Sequence, residues 1–253
     1  MGELVFIGIG IHEPKDTTLT GLEEARNCKI LFCEFYTSRP PSWYKKKLEK
    51  LIGRKIEVLK REDIENGKIL EYAKKMKVGF LCLGDPMVAT THLSLRLRAH
   101  EMGIKTKIIF AQSVYTVVPS SLGLQHCKFG RTTTIPFPKK NYFPESPYDV
   151  IVKNKKNGLH SLVLLDIGMK PNEAIKILFE LEERKKLGIF NKKIFGCVVG
   201  NAGSKKPIIY TDYLYKIAEK RFISAQWTLV IPGKLHFLES EALLKFANAK
   251  VIS

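Results

Sequence analysis

The chain has 253 residues, of which 45% are hydrophobic, and its formal net charge is +17. This composition is typical of a globular protein that buries a core, and no apolar run approaches the length of a membrane-spanning helix. The five cysteines form no Cys-x-x-Cys pair, so a structural zinc site is not expected.

Strand and helix signals alternate through the first half of the chain. The pattern predicts strands at 4–9, 30–35, 56–59, 78–83 and 105–110, and helices beginning at 20 and spanning 44–51, 67–76 and 91–102. Thr20 is the predicted N-cap of the first helix, with Glu23 completing a capping box. A βα series of this kind predicts a mostly parallel sheet covered on both faces.

The second half resumes the same pattern. It predicts strands at 132–136, 161–167, 194–199 and 228–231, and helices at 147–157, 172–187 and 238–247. Ser146 is the predicted N-cap of the helix that starts at Pro147. The best domain boundary lies between Phe110 and Ser120. We therefore predict an α/β fold with two α/β lobes, residues 1–112 and 113–253, and a cleft between them.

Polar or glycine-rich turns follow several predicted strands, at 8–10, 84–86, 111–113, 165–166, 201–203 and 233–236. Each alone is more often a simple turn. Together they predict a ligand bed of backbone N–H and C=O groups, which suits a small amphipathic cofactor. Asp85, at the carboxyl end of a buried strand, either accepts a hydrogen bond from a ligand or caps its own turn, and both interpretations stay open.

The histidines divide into structural and candidate ligand positions. His92 lies inside a helical pattern and is interpreted as structural or surface-exposed, and His160, just before a buried strand, as structural. His92 and His100 are two helical turns apart without a third ligand between them, so a metal site is not expected. His236 follows Pro-Gly-Lys at a strand-to-helix turn and is the histidine best placed to contact a ligand.

The positive charge suggests an anionic partner. The lysines, however, occur in short scattered clusters, and no basic stripe with interleaved aromatic residues is present. A generally solvated lysine surface is therefore favoured over a nucleic-acid groove. A noncatalytic RNA- or ribosome-binding protein is the alternative from a different functional class.

Two strings, Glu-Phe-Tyr-Thr-Ser at 34–38 and Val-Ala-Thr-Thr-His at 88–92, accompany further turns at 6–10, 61–63, 84–86, 128–130, 158–160, 164–167 and 232–236. In this order and spacing the chain resembles the diphthine synthases, the diphthamide-biosynthesis methyltransferases of archaea and eukaryotes within the tetrapyrrole methylase superfamily. The compact length and the short segment after Asp166 resemble the archaeal members.

The resemblance implies a class III methyltransferase, usually a homodimer, that holds S-adenosylmethionine in the cleft between the lobes and releases S-adenosylhomocysteine without a metal. The implied substrate is translation elongation factor 2 with a 3-amino-3-carboxypropyl group on a histidine, whose amino nitrogen is methylated successively to give diphthine. Nucleic acid and membrane are not required. Buried, reduced cysteines and an N-terminus without a signal-peptide pattern predict a cytoplasmic location.

The residues that the resemblance implies as cofactor-binding are Ile11, Asp85, Val88, Ser113, Val114, Leu165, Ala202 and His236. No catalytic residue is identified, and Asp166 and His236 are the candidates for a proton acceptor. The chain departs from the family around Gly200–Gly203 and at Pro119. An alternative within the superfamily is a methyltransferase for a tetrapyrrole or ribosomal RNA.

Overall fold

The computed structural model describes residues 2–36, 38–223 and 225–250. The chain divides into two compact units, Met1–Val114 and Tyr115–Ser253. Within the described residues, no helix is both long enough and apolar enough to span a membrane.

The first unit is built around one parallel sheet. Its strands are β1 (Glu3–Gly8), β2 (Ile30–Glu34), β3 (Glu57–Leu59), β4 (Lys77–Cys82) and β5 (Lys105–Ile109). Its helices are α1 (Leu19–Asn27), α2 (Tyr44–Ile52), α3 (Arg61–Glu65), α4 (Lys68–Lys75) and α5 (His92–Glu101), with a 3₁₀ turn at Pro14–Asp16. The strand order is β3-β2-β4-β1-β5, and every pairing is parallel. The prediction of a parallel sheet is therefore confirmed for this unit.

Side chains alternate across this sheet and build a core on each face. Leu4 and Phe6 of β1 pack with α4 and α5, whereas Val5 and Ile7 pack with α1 and α2. All four side chains are fully buried. Covering both faces leaves only the strand ends open, so the turns at the carboxyl ends of the strands are the natural place for a ligand.

The second unit contains a mixed sheet. Its strands are β6 (Thr133–Ile135), β7 (Ser161–Leu165), β8 (Phe195–Gly200), β9 (Ile208–Tyr213) and β10 (Trp227–Ile231). Its helices are α6 (Val114–Leu122), which begins at the last residue of the first unit, α7 (Ser146–Lys156), α8 (Pro171–Lys185), α9 (Leu214–Ala218) and α10 (Phe237–Phe246), with a 3₁₀ turn at His126–Lys128. The strand order is β6-β7-β10-β8-β9.

The prediction that the parallel strand pattern continues into this half was wrong. β6 and β7 pair in parallel, but β10 is antiparallel to both β7 and β8, and β8 is antiparallel to β9. The sequence pattern missed β9 and the short α9. β8 and β9 pair antiparallel because the connection 201–207 returns the chain directly in a hairpin, without the helix of a βα unit.

Two predicted helix starts were also wrong. The Oγ1 of Thr18, not Thr20, accepts a hydrogen bond from Gly21 N–H at 3.0 Å, so α1 begins at Leu19. In α7, Ser146 is already helical and Glu145 occupies the N-cap position. Helix α6 contains Pro119 in its interior without interruption. The mistake at α1 arose because Thr18 and Thr20 offer equivalent hydroxyls, and packing of Leu22 and Ala25 decides the start.

Candidate functional site

Glycines let the turns after β1 and β4 approach each other closely. A Cβ at Gly8 would lie 2.6 Å from Ala111 Cβ and 2.8 Å from Gly84 O. Gly10 and Gly84 have φ values of 74° and 72°, in the left-handed region that favours glycine, and Gly84 N–H donates to Gly10 O at 2.7 Å. The carboxyl ends of the neighbouring strands β4, β1 and β5 therefore form one floor of closely packed backbone.

Buried side chains support the first of these turns. Tyr44 O–H donates to Ile9 O at 3.1 Å, and Asp16 Oδ2 accepts from the N–H groups of His12 and Glu13 at 3.0 and 2.7 Å. Tyr44 is fully buried, and burial is the main reason that its pKa is raised far above its usual range. Sequence analysis did not identify Asp16 or Tyr44. The contact of Tyr44 with Ile9 joins residues 35 positions apart, and a local sequence pattern does not show such a contact.

The Asp85 carboxylate ties two turns together. Its Oδ1 accepts from Met87 N–H at 2.9 Å, and its Oδ2 accepts from Ala111 N–H at 3.3 Å, so the turn after β4 is joined to the segment after β5. The structure thus shows Asp85 capping its own turn, which is one of the two interpretations from the sequence. Each carboxylate oxygen has a second lone pair, so Asp85 can also accept from a ligand.

Five of the predicted cofactor residues come from these three turns. Ile11 follows β1 and is buried, Val88 follows β4 and is half-buried, and Ser113 and Val114 follow β5, with Val114 starting α6. With Asp85 they lie on the segments that follow β1, β4 and β5, which are neighbouring strands of the sheet.

In the second unit, Leu165 and Ala202 lie at the same end of the sheet. Leu165 ends β7 and Ala202 follows β8, and both strands present their carboxyl ends beside the first residues of β10. The next residue, Asp166, has its carboxylate occupied by Phe137 N–H at 3.1 Å and Ile167 N–H at 2.8 Å. Asp166 therefore caps the ends of β6 and β7.

His236 lies beyond the opposite end of this sheet. Because β10 is antiparallel to β7, its last residue, Ile231, pairs with Ser161 at the start of β7. Trp227 lies at the end of the sheet that carries Leu165. At about 3.3 Å per residue, the strand places Ile231 about 13 Å from Trp227. The structure does not bring His236 together with Leu165 and Ala202. Strand direction, which the sequence pattern did not provide, decides this separation.

A cluster of the half-buried Lys128 with the buried His160 and Glu239 holds the turn that leads to His236. The Glu239 carboxylate accepts from His236 N–H at 2.8 Å, from Gln125 N–H at 2.9 Å and from His160 Nε2 at 3.0 Å, and it pairs with Lys128 Nζ. His236 Nδ1 in turn accepts from Leu238 N–H at 3.4 Å as the N-cap of α10.

Ionisation in this cluster follows from its hydrogen bonds. Burial alone would raise the pKa of Glu239, but the donors around it outweigh burial and lower the pKa to about 2. His160 Nδ1 accepts from Gly233 N–H at 2.9 Å, so its proton is on Nε2, and burial lowers its pKa. His160 is fully buried, as its structural interpretation requires.

His92 is also buried, with 2% of its surface exposed. Its ring lies in the first unit, where Nε2 is 3.9 Å from Glu34 Oε1. The two sequence strings that carry the family resemblance, 34–38 and 88–92, therefore meet at this pair, although Thr37 lies outside the described residues. Among the described residues, no group of three or more His, Cys, Asp or Glu side chains is arranged to hold a metal ion.

Comparison with known proteins places the chain in a family. A profile of the Tetrapyrrole (Corrin/Porphyrin) Methylases matches residues 3–192. Diphthine synthase of Methanocaldococcus jannaschii is 44% identical over 250 residues, covering 95% of this chain and 97% of that protein. Diphthine synthase of Methanosarcina acetivorans is 40% identical over 255 residues, with 96% of both chains covered. A crystal structure of a diphthine synthase superposes with a TM-score of 0.88 at 31% identity, covering 97% of this chain and 96% of that one.

Proposed function

Because the chain belongs to the tetrapyrrole methylase family and, within it, to the diphthine synthases, we propose that it is an S-adenosylmethionine-dependent methyltransferase of diphthamide biosynthesis. Its substrate would be the 3-amino-3-carboxypropyl-histidine of translation elongation factor 2, methylated successively on the amino nitrogen. The observation that carries this proposal is the family match over nearly the whole chain, joined to a glycine floor at the strand ends.

The residues of the first unit fit such a cofactor. Ile11, Val88 and Val114 offer apolar surface, while the turns at Gly10 and Gly84 and the start of α6 offer backbone donors and acceptors. Asp85 can accept from an ammonium or hydroxyl group. A Cβ at Gly8 would collide with Ala111 and Gly84, so glycine at this position lets the turns pack closely. Leu165, Ala202 and His236 stay predictions for the same ligand.

The bound cofactor would supply the methyl group and a sulfonium leaving group, a displacement that requires no metal. The chain's own task is alignment: the three turns hold the ligand so that the attacking nitrogen meets the methyl carbon in line. The amine must be neutral to attack. Asp166 has both carboxylate oxygens engaged by backbone N–H groups, and His236 caps α10, so neither is free of a structural role.

The test uses labelled S-adenosylmethionine and archaeal elongation factor 2 that carries the aminocarboxypropyl-histidine, with unmodified factor as the control. We expect label on that histidine only in the modified factor, and mass spectrometry counts the methyl groups. Cofactor binding without transfer to the factor would redirect the search to tetrapyrrole or ribosomal RNA substrates. Salt-dependent RNA binding without cofactor binding would favour the noncatalytic alternative.

A homodimer and a cytoplasmic location are the remaining family features of this proposal. Light scattering of the purified protein measures the first, and a monomer at working concentration would remove it. Fractionation of the source cells measures the second.

A further inference from the structure

The loop 85–91 between β4 and α5 contains a strained residue. Ala89 has a φ of 53°, in the left-handed region, where a residue with a Cβ costs about 1–2 kcal/mol. Such a conformation persists only when its surroundings hold it. On one side the loop is held by Asp85, whose carboxylate and carbonyl accept from Met87 N–H and Val88 N–H at 2.9 and 3.3 Å.

On the other side the loop is held by His92. Its Nδ1 lies 2.9 Å from Pro86 O. A carbonyl oxygen only accepts hydrogen bonds, so Nδ1 must carry the proton and donate it to Pro86 O. Because Pro86 is the residue between Asp85 and Met87, this hydrogen bond acts on the centre of the predicted cofactor turn.

The rest of the imidazole explains why its orientation is fixed. The ring packs edge-on against Phe80, with ring centroids 5.0 Å apart, and beside Phe6 at 6.5 Å. Burial lowers the pKa of His92, which favours a neutral ring whose Nε2 is a bare acceptor. Nε2 has no hydrogen-bond partner among the described residues, and it lies 3.9 Å from Glu34 Oε1.

This arrangement has a cost that calls for a function. A buried acceptor without a partner costs about 1–3 kcal/mol, and an apolar side chain of similar size would avoid that cost. What the histidine contributes is therefore one donor, on Nδ1, aimed at the loop.

We propose that His92 is a positioning residue for the methyl donor: through Pro86 O it keeps the backbone of Asp85–Val88 in the shape that binds the cofactor, without touching the cofactor itself. The proposal rests on the proposed function for the identity of the ligand. It concerns cofactor affinity, so the interaction with the protein substrate is unaffected.

The experiment compares substitutions that separate the two ring nitrogens. His92→Asn places an amide N–H near the position of Nδ1, whereas His92→Leu has a similar size and no donor. Isothermal titration calorimetry with S-adenosylmethionine should show that His92→Asn retains affinity within roughly threefold, and that His92→Leu weakens it by about tenfold or more. In kinetics the KM for the cofactor rises in His92→Leu, while the KM for the modified elongation factor does not.

Controls separate positioning from folding. His100→Leu changes an exposed histidine of the same helix and should leave cofactor affinity unchanged. Amide hydrogen exchange of Met87 and Val88, measured without cofactor, should be faster in His92→Leu than in His92→Asn. Equal cofactor affinity or equal exchange in the two variants would overturn the proposal. If the native protein binds no cofactor, the proposed function fails, and the exchange rates alone decide whether His92 holds the loop.

Discussion

Glu239 is the residue of the second unit whose replacement we expect to be most destabilising. Its side chain is 1% exposed and receives hydrogen bonds from the backbone of Gln125 and His236 and from His160, besides its ion pair with Lys128. Glu239→Gln keeps the side-chain volume but replaces one acceptor oxygen with an NH₂ group, which faces donors. At least one buried donor is then left without an acceptor.

The pKa gives the magnitude. The surroundings of Glu239 lower its pKa from an ordinary 4.5 to about 2. At about 1.4 kcal/mol per pKa unit, the ionised carboxylate contributes about 3 kcal/mol to stability. An independent estimate is the cost of removing one partner of a buried ion pair, which is about 3–5 kcal/mol. We therefore expect Glu239→Gln to lower the free energy of unfolding by about 3 kcal/mol near pH 7.

The same substitution should change how the free energy of unfolding falls at acid pH. Because the folded-state pKa of Glu239 is depressed, its contribution is present above an unfolded pKa near 4.5 and is lost as the pH falls toward about 2. Glu239→Gln lacks this loss. Burial also depresses the pKa of His160 below its ordinary 6.5, so protonation of the unfolded chain destabilises both proteins below that pH.

Tryptophan fluorescence during urea unfolding measures this effect in the right unit. The chain has two tryptophans, Trp43 in the first unit and Trp227 in the second, so a Trp43→Phe background leaves Trp227 as the reporter. Glu241→Gln is the matched control, since Glu241 is an exposed residue of the same helix that pairs with Lys245. The reasoning would be refuted if Glu239→Gln had the same free energy of unfolding as the native protein and the same dependence on acid pH.

Three further predictions concern the first unit. Gly8→Ala should weaken cofactor binding by about tenfold or more in calorimetry, because its Cβ would lie 2.6 Å from Ala111 Cβ and displace the turns; native affinity would show that the floor is not the site. Asp85→Ala should lose cofactor affinity, since both the turn and a ligand acceptor disappear, and unchanged binding would remove Asp85 from the site. Neutralising Lys45, Lys46 and Lys47 with glutamine should slow methylation of the elongation factor at low salt, if the basic surface steers a large partner; an unchanged rate would count against this patch.

The fold was predictable where local patterns and packing agree. Each strand of the first sheet is an apolar or alternating run followed by a helix, and this pattern alone predicts parallel pairing. In the second unit the strand Ile208–Tyr213 was missed, because its Tyr, Thr and Asp side chains interrupt the apolar pattern. Hairpin pairing with Phe195–Gly200 stabilises it regardless.

The site was predictable to a similar extent. The glycine turns and Asp85 follow buried strands, so their place at the carboxyl ends of β1 and β4 was predictable from local sequence. Their surroundings depend on tertiary packing: Tyr44 donates to the first turn, His92 faces Pro86 O, and His236 follows the far end of an antiparallel strand. The physical reason is that local propensity depends on neighbours along the chain, whereas strand direction and buried side-chain pairs depend on which distant segments pack together.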